Sequence, residues 1–145
     1  QPTLIALAYT IERDKKSYYS ALEQANKHNE ITDWLVYFAD IVLDSQRHTR
    51  TWIEFLLYKA RLYRRLQGQL NPRQEKVLAR LFREGPDGFK GGLSAENYLA
   101  LTGTSRATAT RDLQDLVEKK ALHRYGERKH TRYQLNRFER SDYAD

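Results

Sequence analysis

Between Ser94 and Leu135 the hydrophobic period changes from three-and-four to two within one short stretch, and this switch constrains the fold more than any other feature. Ser94 precedes Ala95-Glu96-Asn97-Tyr98-Leu99-Ala100-Leu101, so its hydroxyl can accept from an otherwise unpaired amide of a first helical turn. In Thr102-Gly103-Thr104 the glycine can take the positive φ that ends a helix and turns the chain. Ser105 then caps a second predicted helix, from Arg106 to about Lys119. Ala109, Leu113, Leu116 and Val117 form its apolar stripe, which ends at Lys120, while Arg106, Thr108, Arg111, Asp112, Asp115 and Glu118 are assigned to the opposite face. Beyond Lys120, Leu122 to Tyr125 and Thr131 to Leu135 alternate around the polar turn Gly126 to His130, which predicts a hairpin.

Two short helices joined through a glycine turn make a helix-turn-helix, whose second helix can enter a DNA major groove. With the hairpin after it, the stretch resembles the winged-helix domains of bacterial regulators. Ser105-Arg106-Ala107-Thr108-Ala109-Thr110-Arg111-Asp112-Leu113 resembles the start of their recognition helix. The expected fold is therefore mainly α, with helices followed by a winged helix-turn-helix and a small β-hairpin wing.

Charge is concentrated in the same place. Residues 119 to 140 carry Lys119, Lys120, Arg124, Arg128, Lys129, Arg132, Arg137 and Arg140 against Glu127 and Glu139. That surplus equals the whole chain's net charge of +6, so the remainder is neutral. A basic patch beside a groove-reading helix suits phosphate. The candidate nucleic-acid contacts are Thr104, Ser105, Arg106, Thr108 and Arg111 on the helix and Arg124, Arg128, Lys129 and Arg132 on the hairpin. Two alternatives stay open. A winged helix can dock a protein instead of DNA, and a basic hairpin can simply keep an edge strand from pairing with other chains.

Upstream the chain reads as helices. Ser17 is a plausible cap for a helix through Leu22, Asn26 to Glu30 is a polar connector, and Thr32 caps the next segment. Neither Pro nor Gly interrupts Thr32 to Gln67. One helix of about 35 residues, or two with a bend near Arg47 to Thr51, is expected; a straight one spans ~50 Å at ~1.5 Å per residue. Such a stripe outruns a small domain, so dimerisation through it is expected. Gly68 stops the segment, and Asn71-Pro72 opens another helix with Val77, Leu78, Leu81 and Phe82 inward. Gly85 to Gly92 forms a loop that Phe89 anchors to the core. The domain reading is 1–68 for the upstream helices, 69–140 for the winged helix and 141–145 for a tail.

Most site chemistries lack their residues. There is no Cys, which removes disulfides and thiolate metal sites and favours a cytoplasmic location. His28, His48, His123 and His130 show no metal-type spacing, and the glycines of 85–92 lack a Gly-Lys-Ser/Thr ending. No apolar run approaches the ~20 residues of a membrane span. Tyr18, Tyr19, Trp34, Tyr37, Phe38, Trp52, Phe55 and Tyr58 fall at helical spacing and are read as core.

A longer resemblance covers nearly the whole chain. Leu7-Ala8-Tyr9-Thr10-Ile11-Glu12-Arg13, Tyr18-Tyr19-Ser20-Ala21-Leu22 and Ile31-Thr32-Asp33-Trp34-Leu35-Val36-Tyr37-Phe38 resemble the part of Fic-family proteins that follows their catalytic loop. Gly85 to Ser94 and Ser105 to Val117 resemble the winged helix at the C-terminal end of many bacterial members. The resemblance implies a parent protein that transfers AMP from ATP, with Mg, to a protein hydroxyl. Its His-x-Phe-x-Asp/Glu-Gly-Asn-Gly-Arg loop does not occur here, so no catalytic residue carries over and the chain alone is expected to be inactive. The implied role of residues 1–68 is scaffold, with that loop expected upstream of Gln1. The expected partners are double-stranded DNA or a target protein, and a second copy of the chain.

Overall fold

The computed structural model describes residues 2–28 and 31–136, with the side chains of 2–5, 28 and 129 excepted. The expected tail at 141–145 and Arg137, Glu139 and Arg140 of the basic segment lie outside the described residues. The described chain is mainly helical with one small antiparallel sheet. It comprises α1 (Pro2–Arg13), α2 (Lys15–His28), α3 (Thr32–Arg65), α4 (Pro72–Arg83), α5 (Ala95–Thr102), α6 (Arg106–Glu118), β1 (Leu122–Tyr125) and β2 (Arg132–Leu135). Two compact units divide it, one ending at Glu54 and one starting at Phe55.

In the first unit α1 and α2 are separated by Asp14 alone. Its carboxylate accepts from the Ser17 amide at 3.4 Å, so Asp14 fills the capping role that the sequence assigned to Ser17, which lies inside α2. Both are good cap residues, and nothing in the local pattern separates them. Among the described residues of this unit few side chains are buried: Ala6, Thr10, Ile41 and Ser45. Thr10 turns its hydroxyl back onto the Ala6 carbonyl at 2.9 Å, which lets a polar side chain sit inside. Tyr9 stacks on His48 with ring centroids 4.6 Å apart, and Trp34 on Phe38 at 5.1 Å. None of the eight aromatics read as core is fully buried: Tyr19 and Trp52 are exposed, Tyr18, Trp34, Tyr37 and Phe38 are half-buried, and of the eight Phe55 and Tyr58 pack against a buried core.

The long segment forms one helix of 34 residues without a break at Arg47 to Thr51. Its last turns belong to the second unit. Phe55, Tyr58 and Tyr63 surround Phe82 of α4 at centroid distances of 5.6, 5.8 and 5.6 Å, with Leu62 and Leu66 buried beside them. Aromatic clustering of this kind accounts for a division inside α3, where Gly68 had suggested a later border. Burial pushes the Tyr58 hydroxyl up to about 12, partly offset by the Arg65 charge.

Polar residues set the helix ends of the second unit. Asn71 caps α4 and Gln74 reaches back to the Asn71 amide, with Pro72 in the first turn. Ser94 caps α5 with Asn97 as the reciprocal partner, Gly103 ends it at φ 67°, and Ser105 caps α6. Val77, Leu78, Leu81 and Phe82 of α4 are buried as expected, together with Tyr98, Ala109, Leu113 and Leu116. Phe89 is half-buried against this core beneath the Arg80 guanidinium. The strands pair Leu122 with Leu135, His123 with Gln134, Arg124 with Tyr133 and Tyr125 with Arg132. Leu93, just before α5, adds an antiparallel bridge to Tyr133 through two 2.8 Å hydrogen bonds. The hairpin is thereby tied to the α4–α5 connection.

Candidate functional site

Capping and burial decide what α6 presents. Ser105 Oγ accepts from the Thr108 amide at 3.3 Å and lies 3.0 Å from Thr108 Oγ1, which fixes the entry of the chain into the helix. Ala109, Leu113 and Leu116 are sealed in the core, so the outward side consists of Arg106, Ala107, Thr110, Arg111, Gln114 and Glu118. These positions recur at four-residue intervals from Arg106 and from Ala107, one continuous strip of helix surface. Thr110 returns its hydroxyl to the Arg106 carbonyl at 2.9 Å, so its methyl group faces outward with the strip. Gln114 donates to Glu118 at 3.3 Å.

Asp112 overturns its assignment to that outward face. It is only 7% exposed. Its carboxylate accepts from Asn71 Nδ2 at 2.9 Å, from Arg73 Nε at 2.8 Å and Nη2 at 3.3 Å, and from the Tyr98 hydroxyl at 2.8 Å. Burial by itself would raise this carboxyl, yet the hydrogen bonds of Arg73, Tyr98 and Asn71 hold it below the ordinary range. The same environment raises the Tyr98 hydroxyl, through burial first and the Asp112 hydrogen bond second. Asp115 is also engaged: it pairs with Lys119 Nζ at 2.5 Å and accepts from Gln74 Nε2 at 2.6 Å. The Lys119 hydrogen bond is the main reason that its carboxyl is held low. Of the three acids expected to face outward, Glu118 alone stays on the strip, at the far end of the helix.

The remaining candidates fall into two groups. Thr104, Ser105, Arg106 and Thr108 gather at the α6 N-terminus, with Thr104 and Thr108 half-buried and Arg106 exposed. Arg106 Nη2 reaches Glu96 Oε1 at 3.2 Å across the turn, while Arg111 is exposed and forms no ion pair with the described residues. On the hairpin Arg124 and Arg128 are exposed. Arg128 sits at φ 49° in a 3-10 turn, Arg128–His130. Arg132 is half-buried and donates to the Thr131 carbonyl at 2.9 Å. The side chain of Lys129 lies outside the described residues. Glu96 relates the two groups: its own backbone amide and Ser94 hold its carboxyl low, and the charges of Arg106 and Arg132 add to the effect.

A glycine sets how the hairpin packs. A Cβ at Gly92, where φ is +74°, would overlap the Tyr125 hydroxyl and crowd Arg132 Cβ. Tyr125 in turn accepts from Gln134 Nε2 at 3.0 Å. The sequence reading missed Ala107, Thr110 and Gln114 as members of the strip, although their spacing from Arg106 and Arg111 carried the signal. It also missed the supporting residues Asn71, Arg73, Gln74 and Tyr98, whose roles depend on contacts 14 to 41 positions apart in sequence. Among the described residues no group of three His, Cys, Asp or Glu could hold a metal ion. No helix among them is long and apolar enough to cross a membrane. No protein-family model matches the chain, and a search of curated proteins returns no match.

Proposed function

We propose that the second unit is a winged helix-turn-helix that binds double-stranded DNA. In this reading α5 and α6 are the helix-turn-helix, α6 enters the major groove, and the β1–β2 hairpin is the wing. One observation carries it: with Asp112 and Asp115 drawn onto α4, the outward strip of α6 is free of acids from Arg106 to Gln114. The strip has the chemistry of base readout. Arginine pairs in bidentate fashion with guanine, glutamine with adenine, and the methyl groups of Ala107 and Thr110 suit the thymine methyl. Thr104, Ser105, Thr108 and the first amides of α6 suit phosphate, as do Arg124, Arg128, Lys129 and Arg132 of the hairpin. Fluorescence anisotropy with a labelled random 30-base-pair duplex at two salt concentrations tests the proposal. Affinity falls with salt at a log–log slope of about −0.9 per phosphate neutralised. Arg106→Ala weakens sequence preference and Arg128→Ala weakens binding uniformly. A protein-docking domain shows no duplex affinity at low salt.

A second reading applies to the first unit and is favoured by its thin core. Tyr9, Tyr19, Ile31, Leu35, Val36, Leu43, Trp52 and Ile53 are all exposed, far more apolar surface than the few buried residues of that unit. Together with the Fic resemblance this supports a scaffold whose apolar face is covered in the working protein, by a second copy or by a catalytic segment outside this sequence. The His-x-Phe loop does not occur and no acidic or histidine cluster replaces it among the described residues, so no AMP-transfer step is derived on this chain. Light scattering separates the alternatives: a mass above 17.1 kDa that rises with concentration supports the second copy.

A further inference from the structure

Asp112 is where three helices of the second unit meet through one side chain. Asn71 and Arg73 at the start of α4 and Tyr98 in the middle of α5 all donate to this single carboxylate on α6. Gln74, only 2% exposed, adds a second attachment, donating to the Asp112 carbonyl at 3.1 Å and, about one turn further along α6, to the Asp115 carboxylate. Apart from Arg73, whose side chain is 40% exposed, the donors come from positions that are themselves fixed. Asn71 and Gln74 form the reciprocal cap of α4, and Tyr98 is fully buried. The apolar core beneath α6 resists separation of the helices and, through close packing, large rotations, but it is less exacting about small rotations about the helix axis than directional contacts are. Hydrogen bonds are such contacts. The carboxylate therefore sets the rotation at which Arg106, Thr110, Arg111 and Gln114 face outward.

We infer that Asp112 is a positioning residue for sequence readout: it holds α6 at the rotation that aims the outward strip at base edges. This rests on the DNA-binding reading. The inference goes beyond it in separating selectivity from affinity: phosphate contacts from the hairpin and the α6 N-terminus survive loss of the clamp, whereas bidentate base contacts do not, since they tolerate little angular error.

The test uses the full chain and a pool of random 30-base-pair duplexes, with the bound fraction sequenced and total binding measured in parallel. Asp112→Asn keeps the size of the side chain but turns one acceptor into a donor that faces Arg73 and Tyr98. Its enrichment of any preferred sequence falls about tenfold, the order of one lost bidentate contact, with total binding and salt slope unchanged. Tyr98→Phe moves enrichment the same way by a smaller factor, and the double variant does no more than Asp112→Asn alone. Leu62→Ala, on α3, controls for lost stability and keeps its enrichment. Equal losses in Asp112→Asn and Leu62→Ala, or full enrichment in Asp112→Asn, overturn the inference. Hydrogen exchange on free protein keeps the two readings apart. If the native chain binds no duplex, the DNA reading fails, and the clamp then stands only if Asp112→Asn selectively speeds exchange along α6 relative to α4. Uniform or unchanged exchange overturns it.

Discussion

Four hydrogen bonds to one carboxylate make Asp112 the most consequential polar residue of the second unit. Replacing it with alanine leaves the buried Tyr98 hydroxyl without its acceptor and removes the partner of the partly exposed Arg73; an unsatisfied buried donor costs about 1–3 kcal/mol, read as a lower urea midpoint. The pH dependence has a definite sign. Because the folded carboxyl is held below its ordinary value, its contribution is complete above about pH 4 and disappears as pH falls through the folded value. Asp115 acts in the same direction through Lys119. Urea midpoints measured between about pH 2 and 6 therefore drop steeply on the acid side for the native chain and less steeply for Asp112→Asn. A parallel drop in both assigns the acid sensitivity elsewhere. The position of Asp112 was half-legible in the sequence. It lies three residues after Ala109 and four before Leu116, so spacing alone puts it on the buried stripe, and only its charge argued for the outer face. The donors that make burial tolerable come from α4 and α5, and no local pattern names them.

Among the elements, those whose ends are set by adjacent residues were readable. Asn71, Ser94, Gly103 and Ser105 end or begin helices where the sequence placed them, because a cap is a contact across three or four positions. Ser94→Ala costs about 1 kcal/mol in thermal or urea unfolding, and α5, with eight residues, has little else to fix its start. The two glycines around α5 differ in kind. Gly103→Ala meets no neighbour and costs about 1 kcal/mol for the left-handed backbone alone. Gly92→Ala adds overlap with Tyr125 to the same backbone strain, so it costs more and moves the β1–β2 resonances in an NMR spectrum. Equal costs, with the hairpin spectrum unmoved, would show that Tyr125 does not depend on that glycine. The hairpin was legible from its alternation, but its bridge to Leu93 was not, since a single residue carries no period.

For the molecule as a whole, α3 was expected either as one long helix or with a bend near Arg47 to Thr51, and the unbroken form is found, whereas the residues it covers were not foreseeable. Its aromatics at Phe55, Tyr58 and Tyr63 gain a core because Phe82 lies among them; Trp52, one turn earlier, meets His48 edge-on at 6.3 Å between ring centroids and stays exposed. Periodicity identifies an apolar face without identifying its cover. Leu43 and Ile53 on the exposed side of α3 are therefore expected to drive self-association of the isolated chain, and Leu43→Asp with Ile53→Asp to lower the light-scattering mass with helical circular dichroism unchanged. A mass of 17.1 kDa at every concentration would rule out the second copy and leave a separate segment as the cover. The DNA-binding proposal stands or falls on the duplex titration. Random 30-base-pair DNA at low and at moderate salt, with the native chain and Arg111→Ala, should give an affinity that falls steeply with salt and is weaker in the variant. No detectable binding at low salt, with the chain folded by circular dichroism, would contradict it.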